Sequence, residues 1–170
     1  MSWFERVRLG MGLASLVALS GCFQPLYSET AHPGLAQAMK AVQVQPVDGR
    51  LGAYLTDDLV TQMNGTGETP PPKYRLKILV PKASVTTPTV ESQIAFASSS
   101  TMFESASIVL TKIDTGKVIY KGQATAIAPY DRSFDNYANL RASRDAELRI
   151  ARSLADEIAQ RVGAAISAKM

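Results

Sequence analysis

The chain has 170 residues, with 18 Lys plus Arg against 15 Asp plus Glu and a formal net charge of +3. A charge so balanced leaves no electrostatic footprint for nucleic acid, and the composition, without a long low-complexity run, is that of a folded domain. The length allows one domain with one real core, and a single cysteine, Cys22, rules out an internal disulfide.

At the N-terminus, Arg6 and Arg8 precede an apolar run from Leu9 to Leu19, followed by Ser20-Gly21-Cys22. Eleven residues fall well short of the ~20 needed to span a bilayer core as a helix. The pattern is that of a cleaved signal, with small residues before the cysteine as a peptidase pocket requires. Leu19-Ser20-Gly21-Cys22 reads as a lipoprotein signal, cut between Gly21 and Cys22. The cysteine thiolate is a strong nucleophile toward an activated lipid donor. The expected modification is a covalent diacylglycerol and an N-acyl (palmitate-type) chain on Cys22, with no other cofactor; several acyl chains anchor stably where one does not. The residue after Cys22 is Phe23 rather than an aspartate, which favours the outer membrane by resemblance to lipoprotein sorting rules. Residues 1–21 are therefore a signal peptide, 22–34 a lipidated tether rich in breakers (Pro25, Pro33, Gly34), and 35–170 a single domain.

Within that domain, Val42 and Val44 alternate with Gln43 and Gln45, which predicts a first strand over 42–47. Asp48-Gly49 ends it, with Asp48 placed to cap the next element. Leu51, Leu55, Leu59 and Met63 recur every four residues, one face of a helix, and Asn64-Gly65 supplies its stop. Pro70-Pro71-Pro72 reads as a stiff connecting loop. Tyr74, Leu76, Ile78 and Val80 alternate with Arg75 and Lys77, a second strand, with Pro81 marking an edge or bend. Thr86 to Thr89 reads as a turn. The β-prone stretch 93–113 exceeds an ordinary strand, so a bulge or break is expected near Ser98–Ser100. Asp114-Thr115-Gly116-Lys117 predicts a tight hairpin turn, and Val118 to Ala128 the returning strand, ended by Pro129-Tyr130. From Tyr137 to about Ala168 the stripe Ile150, Leu154, Ile158, Val162 and Ile166 predicts a long helix whose mixed charges favour packing on the sheet over lying on a membrane. The expected fold is α+β: a four-stranded mixed sheet with two helices packed on one face, in the order β-α-β-β-β-α.

Catalytic constellations are missing. His32 is the only histidine and falls in the tether, so a Ser-His-Asp or Cys-His site lacks a positioned base. No cluster has the spacing of a zinc site, and no glycine-rich phosphate loop is present. Asp57-Asp58 and Asp156-Glu157 are neighbours on helices, where adjacent side chains diverge by ~100°. The expectation is a binding or structural role and not an enzyme.

Taken together, the pieces resemble one family. Cys22-Phe23-Gln24-Pro25-Leu26-Tyr27 is similar to the mature start of lipopolysaccharide-assembly lipoproteins of the LptE family. The run Leu110 to Gly122 resembles that family's central hairpin, and Tyr130, Tyr137-Ala138 and the Asp145–Ile158 helix resemble its C-terminal half. The resemblance implies two helices against a four-stranded sheet. It also implies an outer-membrane lipoprotein, anchored on the periplasmic side, that plugs and helps assemble the LptD β-barrel, through which lipopolysaccharide reaches the outer leaflet. The implied partners are the LptD barrel, lipopolysaccharide and the membrane that holds the lipid anchor. Lys112, Lys117 and Lys121 cluster around the hairpin turn as candidates to contact lipid A phosphates; solubilising the chain or guarding a sheet edge is their other reading. The alternative to the family as a whole is an auxiliary lipoprotein of an ABC-type envelope lipid-transport system.

Overall fold

The computed structural model describes residues 33–65, 67, 69–81, 84–86 and 99–169. The chain divides into two units, Met1–Ala36 and Gln37–Met170. The expected signal, the expected lipidation site at Cys22 and nearly all of the expected tether lie outside the described residues, as does His32.

In chain order the elements are α1 (Leu35–Lys40), β1 (Val42–Val44), α2 (Gly49–Asn64), β2 (Tyr74–Leu79), β3 (Ser84–Thr86), β4 (Ser99–Lys112), β5 (Val118–Asp131) and α3 (Asn136–Ser167). The α+β architecture and the order of its main elements are those read from the alternation and the helical stripes. Two short elements are additional. Helix α1 precedes the first strand, and β3 occupies part of the segment expected to be a turn at Thr86.

Sheet register explains how β3 fits. β2 pairs antiparallel with the second half of β4 (Tyr74↔Lys112 through Leu79↔Ser107). β3 pairs with the first half of the same strand (Ser84↔Phe103 through Thr86↔Thr101). The register slips by one residue between them, and Pro81 lies at the slip. Proline cannot donate to a ladder, and an inserted residue is how a strand bends around such a point. Four strand positions therefore cross the sheet: β1, then β2 continued by β3, then β4, then β5 along the whole other edge of β4. β1 and β2 are parallel and every other pair is antiparallel, so the sheet is mixed. The parallel pair needs a crossover, which α2 provides.

Strand ends follow from residue chemistry. β1 stops at Val44; Gln45 N still donates to Leu76 O at 2.9 Å, and Pro46 has no N–H to continue. The hairpin turn has Gly116 at φ 66°, its N–H donating to Lys112 O and Lys112 N donating to Lys117 O, both at 2.9 Å. β5 does not end before Pro129 as expected but runs to Asp131. Thr125 N points outward, away from β4, to Glu157. Alternation gives Pro129 the same outward orientation, so its missing N–H costs no ladder bond. The bulge or break expected near Ser98–Ser100 lies partly outside the described residues, which resume at Ser99 where β4 begins; within β4 and β5 an irregularity falls at Leu110/Thr111, where Ile119 is the extra residue on β5.

One face of the sheet is covered. Leu76 and Ile78 of β2, Met102, Ala106, Ile108 and Leu110 of β4 and Ala124, Ala126 and Ala128 of β5 are buried. Over them lie Leu55, Leu59 and Met63 of α2 and the full Ile150–Ile166 stripe of α3; each large side chain contributes about 1.5–3 kcal/mol. The helices are tied by Arg50–Glu147 (2.6 Å) at one end and Gln62–Asp156 (2.8 Å) at the other. On α3, Ala151, Ala155 and Ala159 fall between the large-residue stripe and Asp156, so helical spacing turns this small row toward α2 and lets the two helices approach closely. Gly52 of α2 lets the segment before the helix pass close by: a Cβ there would meet Val47 O at 2.5 Å. Gly65, at φ 59°, stops α2 as read, its N–H donating to Thr61 O. Asp48 occupies the N-cap position in extended conformation, but its side chain makes no capping bond.

Candidate functional site on the open face of the sheet

Both helices cover the same face of the sheet, so the other face carries the side chains that alternate outward. Cross-strand register puts them in rows. At the hairpin end lie Gln43, Arg75 and Thr111, then Lys77, Val109 and Lys121 in one row across β2, β4 and β5. The next row is Leu79, Ser107 and Gln123, followed by Ser105 with Thr125 and by Phe103 with Ile127. The face is graded. Arg75, Lys77 and Lys121 make one end cationic. Phe103 and Ile127 leave 39% and 63% of their surface exposed toward the other end, and Leu79, 57% exposed, adjoins the cationic row on β2. Hydroxyl and amide side chains fill the middle. Among the described residues this face carries no carboxylate until Asp131 at the far end of β5.

The three lysines read as candidate phosphate contacts are divided by this geometry. Lys121 stands on the open face in register with Lys77. Lys112 continues the alternation of Ile108 and Leu110, on the helix side of the sheet, and pairs with Asp114 at 3.1 Å. That ion pair and hydrogen bond hold the Asp114 carboxyl below its usual range. Lys117 is in the turn itself, exposed, its N–H close to Thr115 Oγ1. The structure thus brings Lys121 together with Arg75 and Lys77, two residues the alternating pattern of β2 marked only as outward-facing. Their association required knowing that β2 and β5 flank β4 in this register. The serines and threonines at 101, 105, 107 and 111 share the open face, half-buried between neighbouring strands. Ser100 alternates to the helix side and is buried.

On the covered face one charge is out of place. Glu104 is 3% exposed among Met102, Ala106 and Ile108, and its Oε1 has no hydrogen-bond partner among the described residues. Burial, and then the nearby Glu147 carboxylate, push its pKa up. Parity along β4 places it there, and that signal was available in the alternation of residues 102–110.

The outer edge of β5 is guarded by α3. Glu157 accepts from Thr125 N at 3.0 Å, Arg149 donates to Pro129 O at 2.7 Å, and Arg161 reaches Tyr120 Oη at 3.3 Å while pairing with Glu157. Tyr120 lies across Gly122, where a Cβ would collide with its ring. Asp156 and Glu157, adjacent in sequence and about 100° apart around the helix, thus face different neighbours, α2 and the β5 edge. Among the described residues no three His, Cys, Asp or Glu side chains gather as a metal-ligand set. No helix of the described residues is long and apolar enough to cross a membrane.

No protein-family model matches the chain, and no curated protein matches it in sequence. In structure it is similar to a candidate lipoprotein from Caulobacter crescentus CB15, with a TM-score of 0.63 and 20% identity over 81% of this chain and 98% of that one. A minor lipoprotein from Acinetobacter baumannii matches with a TM-score of 0.39 and 16% identity, over 75% of this chain and 90% of that one. A hypothetical protein from Chlamydia trachomatis matches at 0.47 and 13% identity, over 75% and 98%. The last two likenesses are too loose to carry an argument. The first establishes a shared fold: the sheet-and-helix domain is of the kind found in that candidate lipoprotein.

Proposed function

We propose that the protein is an LptE-type lipoprotein of the bacterial outer membrane, cleaved before Cys22 and anchored by its acyl chains on the periplasmic side. Its domain is a non-catalytic plug and assembly aid for the LptD barrel, and it binds lipopolysaccharide on the open face of the sheet. The graded face supports this reading most directly. An amphipathic phosphorylated lipid has anionic and apolar parts at opposite ends, and the rows from Lys77–Lys121 to Phe103–Ile127 present matching chemistry in one surface. Charge-assisted contacts from Arg75, Lys77 and Lys121 suit phosphates. The polar middle suits the wet, hydroxyl-rich contacts that a barrel interior accepts. The candidate lipoprotein from Caulobacter, which shares the fold, agrees with envelope residence.

The test is binding of lipopolysaccharide to the detergent-solubilised lipoprotein. Lys77→Glu combined with Lys121→Glu weakens binding about tenfold, a change of ~1.4 kcal/mol. Lys112→Glu combined with Lys117→Glu leaves it nearly unchanged. Equal loss in both pairs would remove the open face as the site and return the assignment to the hairpin turn. Affinity purification from solubilised outer membranes recovers a large β-barrel; recovery of a permease component would instead support the ABC-associated alternative.

A further inference from the structure

Along its first ten residues helix α3 meets only the last residues of β5, where Ala142 and Asp145 lie beside Pro129, Tyr130 and Asp131. Residues 136–145 include no buried side chain, and burial begins at Ala146. At 1.5 Å per residue that is about 15 Å of helix. The polar contact of α3 with β5 at this end comes from Arg149, which reaches Pro129 O only two residues before the strand ends. The first turns therefore overhang the end of the sheet. The overhang is held rigid. Asp135 caps it by accepting from Tyr137 N (2.8 Å) and Ala138 N (3.3 Å). Asn139 clasps the preceding loop, accepting from Ser133 N at 2.7 Å and donating to Ser133 O at 2.8 Å.

This rigid tip has an unusual surface. Tyr137 is 68% exposed and Leu140 46% exposed. Their helical spacing with Arg141 and Arg144 puts all four on one face, opposite Asn139 and Ala142, which turn toward the loop and β5. Arg132 in the loop is also exposed. Among the described residues none of Arg132, Arg141 and Arg144 forms an ion pair; of the nearby acids, Asp135 is engaged in the cap and Asp145 with Arg149 at 2.9 Å, while Asp131 is exposed at the end of β5.

We propose that this tip docks on an anionic phospholipid surface, Tyr137 and Leu140 entering the boundary between headgroups and acyl chains while Arg141 and Arg144 contact lipid phosphates. Aromatic and leucine side chains beside arginines are the composition of interfacial helices, and arginine stems lie along apolar surface while their heads reach phosphate. A lipid surface fits better than a protein. A projecting tip with two large apolar side chains on its helical face falls far short of the roughly 1,200 Å² that a stable protein interface buries. The same small area is useful beside a covalent anchor, which already holds the domain at high effective concentration near the membrane. The tip would orient the domain rather than attach it. The inference rests on the lipid-anchored part of the proposed function and is independent of the barrel and of lipopolysaccharide.

The experiment uses the mature lipidated protein reconstituted in vesicles of phosphatidylethanolamine and phosphatidylglycerol. Trp3, the sole tryptophan, falls within residues 1–21, so the mature chain has none, and Tyr137→Trp supplies a single fluorophore. Brominated acyl chains roughly halve its emission. The quenching is lost when Arg141→Glu and Arg144→Glu are added, and it is absent for a control Val60→Trp on α2. Thermal unfolding by circular dichroism checks that each variant is folded. Vesicle-bound protein with unquenched emission would overturn the proposal while leaving the anchor intact, and protein in the supernatant would overturn both. Full quenching that survives the double charge reversal also overturns it. So does shielding from aqueous iodide that appears only with a co-purified protein, which would mark a protein-docking surface. Lipopolysaccharide binding by the same variants is unchanged, which separates this outcome from a failure at the open face.

Discussion

Glu104 is the residue whose placement has the clearest thermodynamic consequence. An acid whose folded-state pKa is raised binds its proton more tightly in the folded than in the unfolded chain. Between the ordinary glutamate pKa and the raised one, the unfolded state holds fewer protons, so stability falls as pH rises through that window. The groups facing it add to this: Glu147 on α3 repels its ionised form, and Arg50 on α2 is already bound to Glu147. Glu104→Gln removes the ionisation and keeps the shape. It should raise the melting temperature by several degrees at pH 7, of the order of 1 kcal/mol, and by much less at pH 4.5. A gain that is the same at both pH values would show that Glu104 is not carrying an unfavourable charge. Lys112 is the contrasting case at this scale. Its sequence position beside the turn made it a candidate ligand contact, but its side chain alternates to the helix side and pairs with Asp114.

At the scale of elements, α3 has three parts with different surroundings. Its middle and end cover the sheet through Ile150–Ile166, its flank caps the β5 edge, and its first ten residues overhang. The edge capping answers a general problem. A fourteen-residue edge strand exposes a row of unpaired backbone groups that invites association with other chains. Glu157, Arg149 and Pro129 occupy that row. Glu157→Ala should therefore speed hydrogen exchange of the Thr125 amide about tenfold, in line with loss of a bond worth ~1–1.5 kcal/mol. Amides directed at β4, such as that of Ala126, should keep their protection. If the Thr125 amide exchanges at an unchanged rate, the edge is protected by something other than this side chain. Asp156 accepts from Gln62 on α2. Asp145 pairs with Arg149 one turn further along the same helix.

For the whole molecule, the proposed anchor and the domain separate. Cys22→Ala should leave the melting temperature of the domain unchanged while releasing the protein from washed membranes in fractionation. Full retention with the outer membrane would mean that contact with a partner, rather than lipid, is the dominant tether. The organisation of the domain was largely legible in the chain. Alternation over 74–79 and 101–110, the four-residue repeats of α2 and α3 and the glycines at 65 and 116 each reflect a local rule: a strand or helix against one apolar face must show its period. The candidate site was legible only in pieces. Lys121 was visible, whereas its association with Arg75 and Lys77 depends on strands separated by more than forty residues.

Sequence by itself determined which segments form the main strands and helices, where the helix α2 and the hairpin stop and turn, and which side of each of these elements is apolar. These are set by covalent geometry, side-chain period and backbone-permissive glycine, all acting within a few residues. Tertiary structure decided the rest: the position of β2 and β3 along a single edge of β4, the sorting of three hairpin lysines onto different surroundings, the burial of Glu104, and the length of α3 left beyond the sheet. Those outcomes come from register and packing between distant segments. A shift of one residue in strand pairing moves a side chain to the opposite face, and no local pattern specifies which distant strand supplies the neighbour.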